Sequence, residues 1–265
     1  FNRPREVLRA VRSVLAQDFA DLEILVVDDN PPDSEARRLT AEALAGLDSR
    51  IVHVKSAGSL GGAGARNAGI AAARGAFVAF LDDDDEWLPG KLSRQLALFD
   101  SLSDEVCSVD TGFFEIDERR GTRREVRPAL RGDIFEDLLV KHKGRAPKLS
   151  SMLCRTAALR AVGMFDPSLP ARQDLDLYLR LARHYRFDFV PEPLVNKYIH
   201  GSGRISAVSA NKIRGFALLY EKYRADLAVR PALHRRYLRR HAFWLAKGGK
   251  PGQAALKFLK SLAVR

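Results

Sequence analysis

Apolar residues recur along this chain in two rhythms that take turns. Behind Pro4, residues Val7, Leu8, Val11, Val14 and Leu15 fall at three- and four-residue spacing, which predicts a helix with one buried face, and proline is well tolerated at a first helical position. Residues 23–27 form a short run rich in β-branched side chains and end in Asp28-Asp29-Asn30-Pro31-Pro32, the pattern of a buried strand leaving the core through a turn. Ser34 with Glu35 caps a second helix running to about Ala45, and residues 51–54 make the next strand. A flexible loop over 58–64, an alanine-rich helix over 65–73 and another buried strand over 76–81 follow. Such alternation predicts an α/β fold whose mainly parallel sheet is flanked on both faces by helices.

The second half is less periodic. A helix is expected from after Trp87-Leu88-Pro89 to about Leu102, then an irregular stretch over 107–116 and a charged, hairpin-like stretch over 117–127. Residues 134–140 suit a short helix and 149–154 a strand. Asp174 marks the start of a helix with Leu175, Tyr178, Leu179 and Ala182 on one face. Past residues 187–190 and the Pro191/Pro193 pair, the chain reads as helical and basic to its end. No internal repeat is visible.

With 265 residues, 46% of them hydrophobic and 29% charged, the chain can bury a full core. Its formal charge of +11 is unevenly placed: residues 196–265 hold sixteen Lys and Arg against Glu221 and Asp226, a balance of +14, which leaves −3 for residues 1–195. Cys107 and Cys154 have no nearby Cys or His partner in the chain, so neither a disulfide framework nor a zinc site is suggested, and a reducing cytoplasm fits. No apolar stretch approaches the roughly eighteen residues that cross a bilayer.

Two acidic clusters, Asp28-Asp29 and Asp82-Asp83-Asp84-Asp85, lie just beyond the carboxyl ends of expected strands, where open α/β sheets bind ligands. Four adjacent carboxylates repel one another, and a hard divalent cation such as Mg²⁺ or Mn²⁺ would compensate them. A solvated acidic loop is the commoner fate of such a run; its place at a strand end, followed by Trp87-Leu88-Pro89, favours the metal. Gly61-Gly62-Ala63-Gly64 matches neither familiar phosphate fingerprint, leaving a pliant loop that leads into a helix with Arg66 and Asn67. Asp174 and Asp176 suit the helix dipole by default, and Asp174 becomes a candidate base only if it faces the same cleft as the acidic run. His200 stands as a ligand or a loop residue.

Taken together, several segments resemble the inverting, metal-dependent glycosyltransferases of family 2, which have the GT-A fold. The matching pieces are Phe1-Asn2-Arg3-Pro4, Ser13-Val14-Leu15-Ala16-Gln17, residues 24–29, Gly64-Ala65-Arg66-Asn67-Ala68-Gly69-Ile70, residues 80–89, Val162-Gly163-Met164-Phe165-Asp166 and Gln173-Asp174-Leu175-Asp176. The resemblance implies that Asp29 accepts a hydrogen bond from the nucleobase, with Phe1 stacking nearby and Arg66 on base or phosphate. It makes Asp82 and Asp84 the acids of an Asp-x-Asp motif, with Asp84 the direct metal ligand and Asp82 near the ribose. Asp83 lies in the nucleotide-sugar site, Asp174 is the general base, and His200 completes the metal or diphosphate contacts. The implied reaction is sugar transfer from a nucleoside diphosphate to an acceptor hydroxyl in polysaccharide, lipopolysaccharide or other glycoconjugate assembly.

Relatives of this kind carry an apolar strand immediately ahead of the Phe1-Asn2 position, and this chain starts after it, so the first strand of the sheet is expected to be missing. Gln173 replaces a frequent Glu, and Asn30-Pro31-Pro32 should stiffen the turn after Asp29. The expected organisation is a GT-A domain over 1–205, with a nucleotide-binding half over 1–100 and an acceptor-binding half over 101–205, and a helical basic extension over 206–265. Within the extension Leu256, Phe258, Leu259 and Leu262 alternate with Lys257 and Lys260. Its apolar faces either rest on an anionic membrane, peripherally at the inner face, where lipid-linked acceptors reside, or pack on the catalytic domain. A nucleic-acid-binding protein built on the basic tail leaves the acidic and glycine motifs unexplained, so no nucleic acid is expected as a partner. A metal-dependent nucleotidyltransferase lacks its basic glycine-rich loop near the start.

Overall fold

The computed structural model describes residues 3–140, 146–199 and 209–264. In chain order the first half runs α1 (Pro4–Leu15), β1 (Ile24–Asp28), α2 (Glu35–Leu44), β2 (Ile51–Lys55), α3 (Gly61–Ala72), β3 (Phe77–Ala79), β4 (Asp85–Trp87) and α4 (Lys91–Asp100). The second continues through β5 (Val106–Asp117), β6 (Thr122–Val126), α5 (Phe135–Val140), a 3₁₀ turn at Leu149–Ser151, β7 (Leu153–Arg155), α6 (Thr156–Ala161), α7 (Gln173–Ala182) and β8 (Arg186–Tyr198). Four helices close it: α8 (Ser209–Lys222), α9 (Arg224–Ala228), α10 (Pro231–Lys247) and α11 (Pro251–Ala263). The local signals at α1 and α2 act as expected, whereas α3 begins at Gly61, so Gly61 to Gly64, expected as a loop, form its first turn. Val11 and Val14 are buried on α1, and the Ser34 hydroxyl caps α2 by accepting from the Arg37 N–H at 3.3 Å.

The strands form two sheets. β1 and β2 pair in parallel, with α2 as their crossover; the larger sheet has the order β3-β7-β5-β8-β4, with β6 also on β5. In it only β5 and β8 are parallel, while β3, β4, β6 and β7 pair antiparallel. The α/β architecture is therefore a mixed sheet, not a mainly parallel one. For β6 the physical reason is local: it follows β5 through a turn too short for the crossover that parallel neighbours need, whereas β4 pairs with the distant β8.

The irregular middle and the proline-bearing stretch become the two longest strands, of 12 and 13 residues. Pro191 and Pro193 fit inside β8 because its register against β5 shifts around Gly112. A Cβ on Gly112 would stand 3.0 Å from the backbone atoms of Pro191, Glu192 and Pro193, so only glycine allows this approach.

The largest core joins both ends of the second half. Leu177, Tyr178 and Leu181 of α7 pack with Phe216 and Leu219 of α8, Tyr223, Leu227 and Tyr237, so the first helices of the basic segment fill the core. Helix α11 does the opposite: Ala254 and Ser261 are buried, whereas Leu256, Phe258, Leu259 and Leu262 are 47–60% exposed. Among the described residues no helix is long and apolar enough to cross a membrane.

Candidate active site

The strand-end acids divide into buried and outward-facing members. Asp28 is buried at the end of β1, where it accepts from the Asn30 N–H at 2.9 Å, the Asn30 amide at 2.7 Å and the His53 ring at 3.0 Å. Burial opposes its charge, but these donors hold its carboxyl below the ordinary range. Asp29, half-buried, holds the start of α3: it accepts from the Leu60 and Gly61 N–H groups at 2.7 and 2.9 Å and from the Ser56 hydroxyl at 3.0 Å. Its Oδ2 keeps room for one more donor.

The acidic run turns into β4 at Asp85. That residue is fully buried and accepts from Ser150 Oγ at 2.6 Å, Lys197 Nζ at 2.8 Å and the Tyr198 N–H at 3.2 Å. Burial, with Asp82 nearby, pushes its carboxyl up despite the lysine. Ser150 is the hub of the turn: its hydroxyl also accepts from the Asp82 N–H at 3.2 Å, and its carbonyl accepts from the Trp87 indole at 2.7 Å. From α1, the Ser13 hydroxyl accepts from the Trp87 N–H and Gln17 donates to the Leu88 carbonyl, both at 3.0 Å. The Ser13 to Gln17 segment thus secures the floor of the site.

Asp82, Asp83 and Asp84 remain partly open and are met by cations. Arg66 donates to Asp82 Oδ1 at 3.0 Å, and Arg3 reaches Asp83 at 3.1 Å and Asp84 at 2.8 Å. Carboxylate oxygens of Asp82, Asp84 and Asp85 lie within 4.8 Å of one another. Hard oxygen donors at this spacing fit Mg²⁺ or Mn²⁺, with Asp82 and Asp84 accessible and Asp85 committed to Ser150 and Lys197.

Asp174 sits in the first turn of α7, half-buried, with Oδ1 accepting from the Leu175 N–H at 2.8 Å. Burial opposes the charge on Arg66, and the fields of Asp82 and Asp174 together restore it, so this guanidinium stands between the acidic loop and α7. Tyr178, one turn beyond Asp174, feels Asp174, Asp110, Asp82 and Arg66; burial first, then these acids, push its phenol well up. Asp176 points the other way. Wholly buried, it binds Arg180 at 2.9 Å, Lys222 at 2.8 Å and the Tyr223 hydroxyl at 3.0 Å, tying α7 to α8. Asn67 exchanges two hydrogen bonds with the Phe165 backbone at 2.8 and 2.9 Å, which joins the α3 segment to the Val162 to Asp166 segment.

Phe1 and His200 lie outside the described residues. The structure brings Arg66, Asp82, Asp83 and Asp84 together, with Asp174 near enough to act on the charge of Arg66, and leaves Asp29 at the end of β1 in the smaller sheet. Ser150, Lys197, Arg3 and Tyr178 escaped sequence reasoning as site residues. Only Arg3 carried a signal, as a member of the opening Phe-Asn-Arg-Pro piece.

An α/β fold with an Asp-x-Asp turn at a strand end defines a GT-A glycosyltransferase. Residues 1–162 match the family described as glycosyl transferase family 2, and the chain belongs to that family. Over 285 aligned residues it is 27% identical to the amylovoran biosynthesis glycosyltransferase AmsB of Erwinia amylovora, covering 98% of this chain and 87% of that one. It is 37% identical over 98 residues, 37% of each chain, to the UDP-Glc:alpha-D-GlcNAc-diphosphoundecaprenol beta-1,3-glucosyltransferase WfgD of Escherichia coli. In structure it resembles the mannosyltransferase PcManGT of Pyrobaculum calidifontis, solved with GDP-Man and Mn²⁺. That likeness has a TM-score of 0.62 at 17% identity and covers 100% of this chain and 73% of the other.

Proposed function

We propose that this glycosyltransferase moves a sugar from a nucleoside diphosphate to an acceptor hydroxyl by a single inverting displacement, in polysaccharide or other glycoconjugate assembly. The observation that carries the reading is the cluster of Asp82, Asp84 and Asp85 oxygens within 4.8 Å of one another, with Arg66 paired to Asp82. The donor lies over residues 1–100, its base near Asp29 and Phe1 and its ribose and diphosphate near Asp82 and Asp83. Asp84 and Asp82, with His200, would hold Mg²⁺ or Mn²⁺, and that ion when bound neutralises the leaving diphosphate. Asp174 takes the proton from the acceptor hydroxyl as its oxygen bonds to the anomeric carbon and the bond from that carbon to the diphosphate breaks. A base opposite the leaving group makes the displacement inverting. Residues 101–205 form the acceptor side, and residues 206–265 a helical extension.

The relatives named for an exopolysaccharide and for a diphosphoundecaprenol-linked sugar support an acceptor held at a membrane. A cytoplasmic protein resting on the inner face of that membrane through α10 and α11 fits the outward leucines of α11. In calorimetry with nucleoside diphosphate and Mn²⁺, Asp84→Ala should abolish metal-dependent binding. Asp174→Asn should bind normally yet lower transfer by about a thousandfold or more. Unchanged binding by Asp84→Ala would overturn the metal assignment.

A further inference from the structure

Asp174 opens onto a cavity of about 210 Å³ whose walls come from Ala146, Pro147, Lys148, Ala171, Arg172, Asp174, Leu175, Tyr178 and Lys212. Three features set it apart from an ordinary cleft beside a base. Lys148, Arg172 and Lys212 outnumber the single carboxylate. The Tyr178 hydroxyl, on a residue only 1% exposed, has no hydrogen-bond partner among the described residues. A buried hydroxyl in that condition needs a partner, which a bound group or a water can supply. Every wall residue lies between positions 146 and 212, so the segment proposed to hold the donor contributes nothing to it.

Arg172 is built into position. Among the described residues it is one of two non-glycine residues with positive φ, at 68°, and its guanidinium lies 3.6 Å from the centre of the Phe216 ring. Helix α8 comes this close because Gly215 has no side chain: a Cβ there would meet the Ala171 carbonyl at 2.9 Å. Backbone strain of this kind persists only where the surroundings over-determine it, and it clusters at ligand sites. Burial, with Arg240 nearby, lowers the pKa of Arg172 to about 10, against the opposing fields of Tyr237 and Asp174.

We infer that this cavity binds a phosphate or diphosphate group carried by the acceptor, with the Tyr178 hydroxyl donating to it and Lys148, Arg172 and Lys212 balancing its charge. The inference rests on the glycosyltransferase reading and adds the chemical class of the acceptor: a sugar whose reducing end is a phosphoryl ester. A lipid-linked phosphate and a free phosphate share that chemistry, and their affinities separate them.

The test titrates the protein, in a metal chelator, with geranyl diphosphate, inorganic phosphate and geraniol. Geranyl diphosphate should bind, inorganic phosphate at least about tenfold more weakly, and geraniol not measurably. The Lys148→Ala/Lys212→Ala double variant should lose roughly ten- to hundredfold in geranyl diphosphate affinity, and Tyr178→Phe about tenfold. Nucleoside diphosphate binding with Mn²⁺, which tests the transferase reading separately and reports folding, should stay within about twofold in the Lys148→Ala/Lys212→Ala double variant. Geranyl diphosphate affinity that ignores these substitutions, or is matched by inorganic phosphate, overturns the inference. So does a parallel loss of nucleoside diphosphate binding, which would give the cavity to the donor.

Discussion

Asp85 accepts hydrogen bonds from Ser150, Lys197 and the Tyr198 N–H, and its side chain is out of contact with water. Asp83, two residues earlier, is partly exposed and pairs with part-buried Arg3. Removing one partner of a buried ion pair strands the other charge, whereas exposed pairs contribute little. Asp85→Ala should therefore cost about 3–5 kcal/mol of folding stability in urea denaturation, and Asp83→Ala no more than about 1 kcal/mol. Equal effects would contradict this division of labour. Four adjacent acids after a strand were legible as a candidate cation site. Which of them faces the ligand was not, because that depends on where β4 begins and on the pairing of Asp85 with Lys197 across the sheet.

Among the elements, the contact of α10 with α8 carries a pH dependence. His241 is buried with its ring stacked on Phe216 at 5.8 Å, and burial first, then Lys257 and Arg172, lower its pKa from 6.5 to about 4. The folded chain keeps this ring neutral while the unfolded chain protonates it as pH falls below 6.5. Stability present above that pH is therefore lost progressively down to about pH 4. His241→Phe keeps the ring stacking and removes the titration. The Tm difference, variant minus wild type, should grow by a few degrees, about 2–4 °C per kcal/mol, between pH 7 and pH 4; a constant difference would count against it. The periodic helices and strands of the first half could be read locally. Strands β5 and β8 could not, since their irregular patterns and prolines make sense only against each other, at the bulge that Gly112 permits.

At the scale of the whole molecule, the two alternatives for the basic segment are divided among its helices. Helices α8 to α10 fill the core through Phe216, Leu219, Tyr223, Leu227 and Tyr237, while α11 turns Leu256, Phe258, Leu259 and Leu262 outward. Arg236, Arg239 and Lys247 are exposed on α10, and Arg239 lies over the Phe258 ring at 5.9 Å. Apolar side chains rimmed by cations suit an anionic lipid surface, to which each basic residue adds about 1 kcal/mol. The protein should sediment with anionic but not neutral vesicles, less so as salt rises, and Leu256→Glu/Leu259→Glu/Leu262→Glu should stay in the supernatant. Salt-independent binding, or none, would remove the membrane contact.

Local chemistry along the chain was enough to set the alternation of helices and strands, the capped start of α2, the acid-rich turn after β3 and the family, because each depends on residues near one another in sequence. Long-range placement was beyond it. The antiparallel entry of β4, Ser150 beneath the acidic turn, the pairing of Asp176 with Lys222 and Tyr223, and the cavity between α7 and α8 all join residues dozens of positions apart. Spacing within a strand or helix says which face a side chain takes, but only packing says what stands opposite that face.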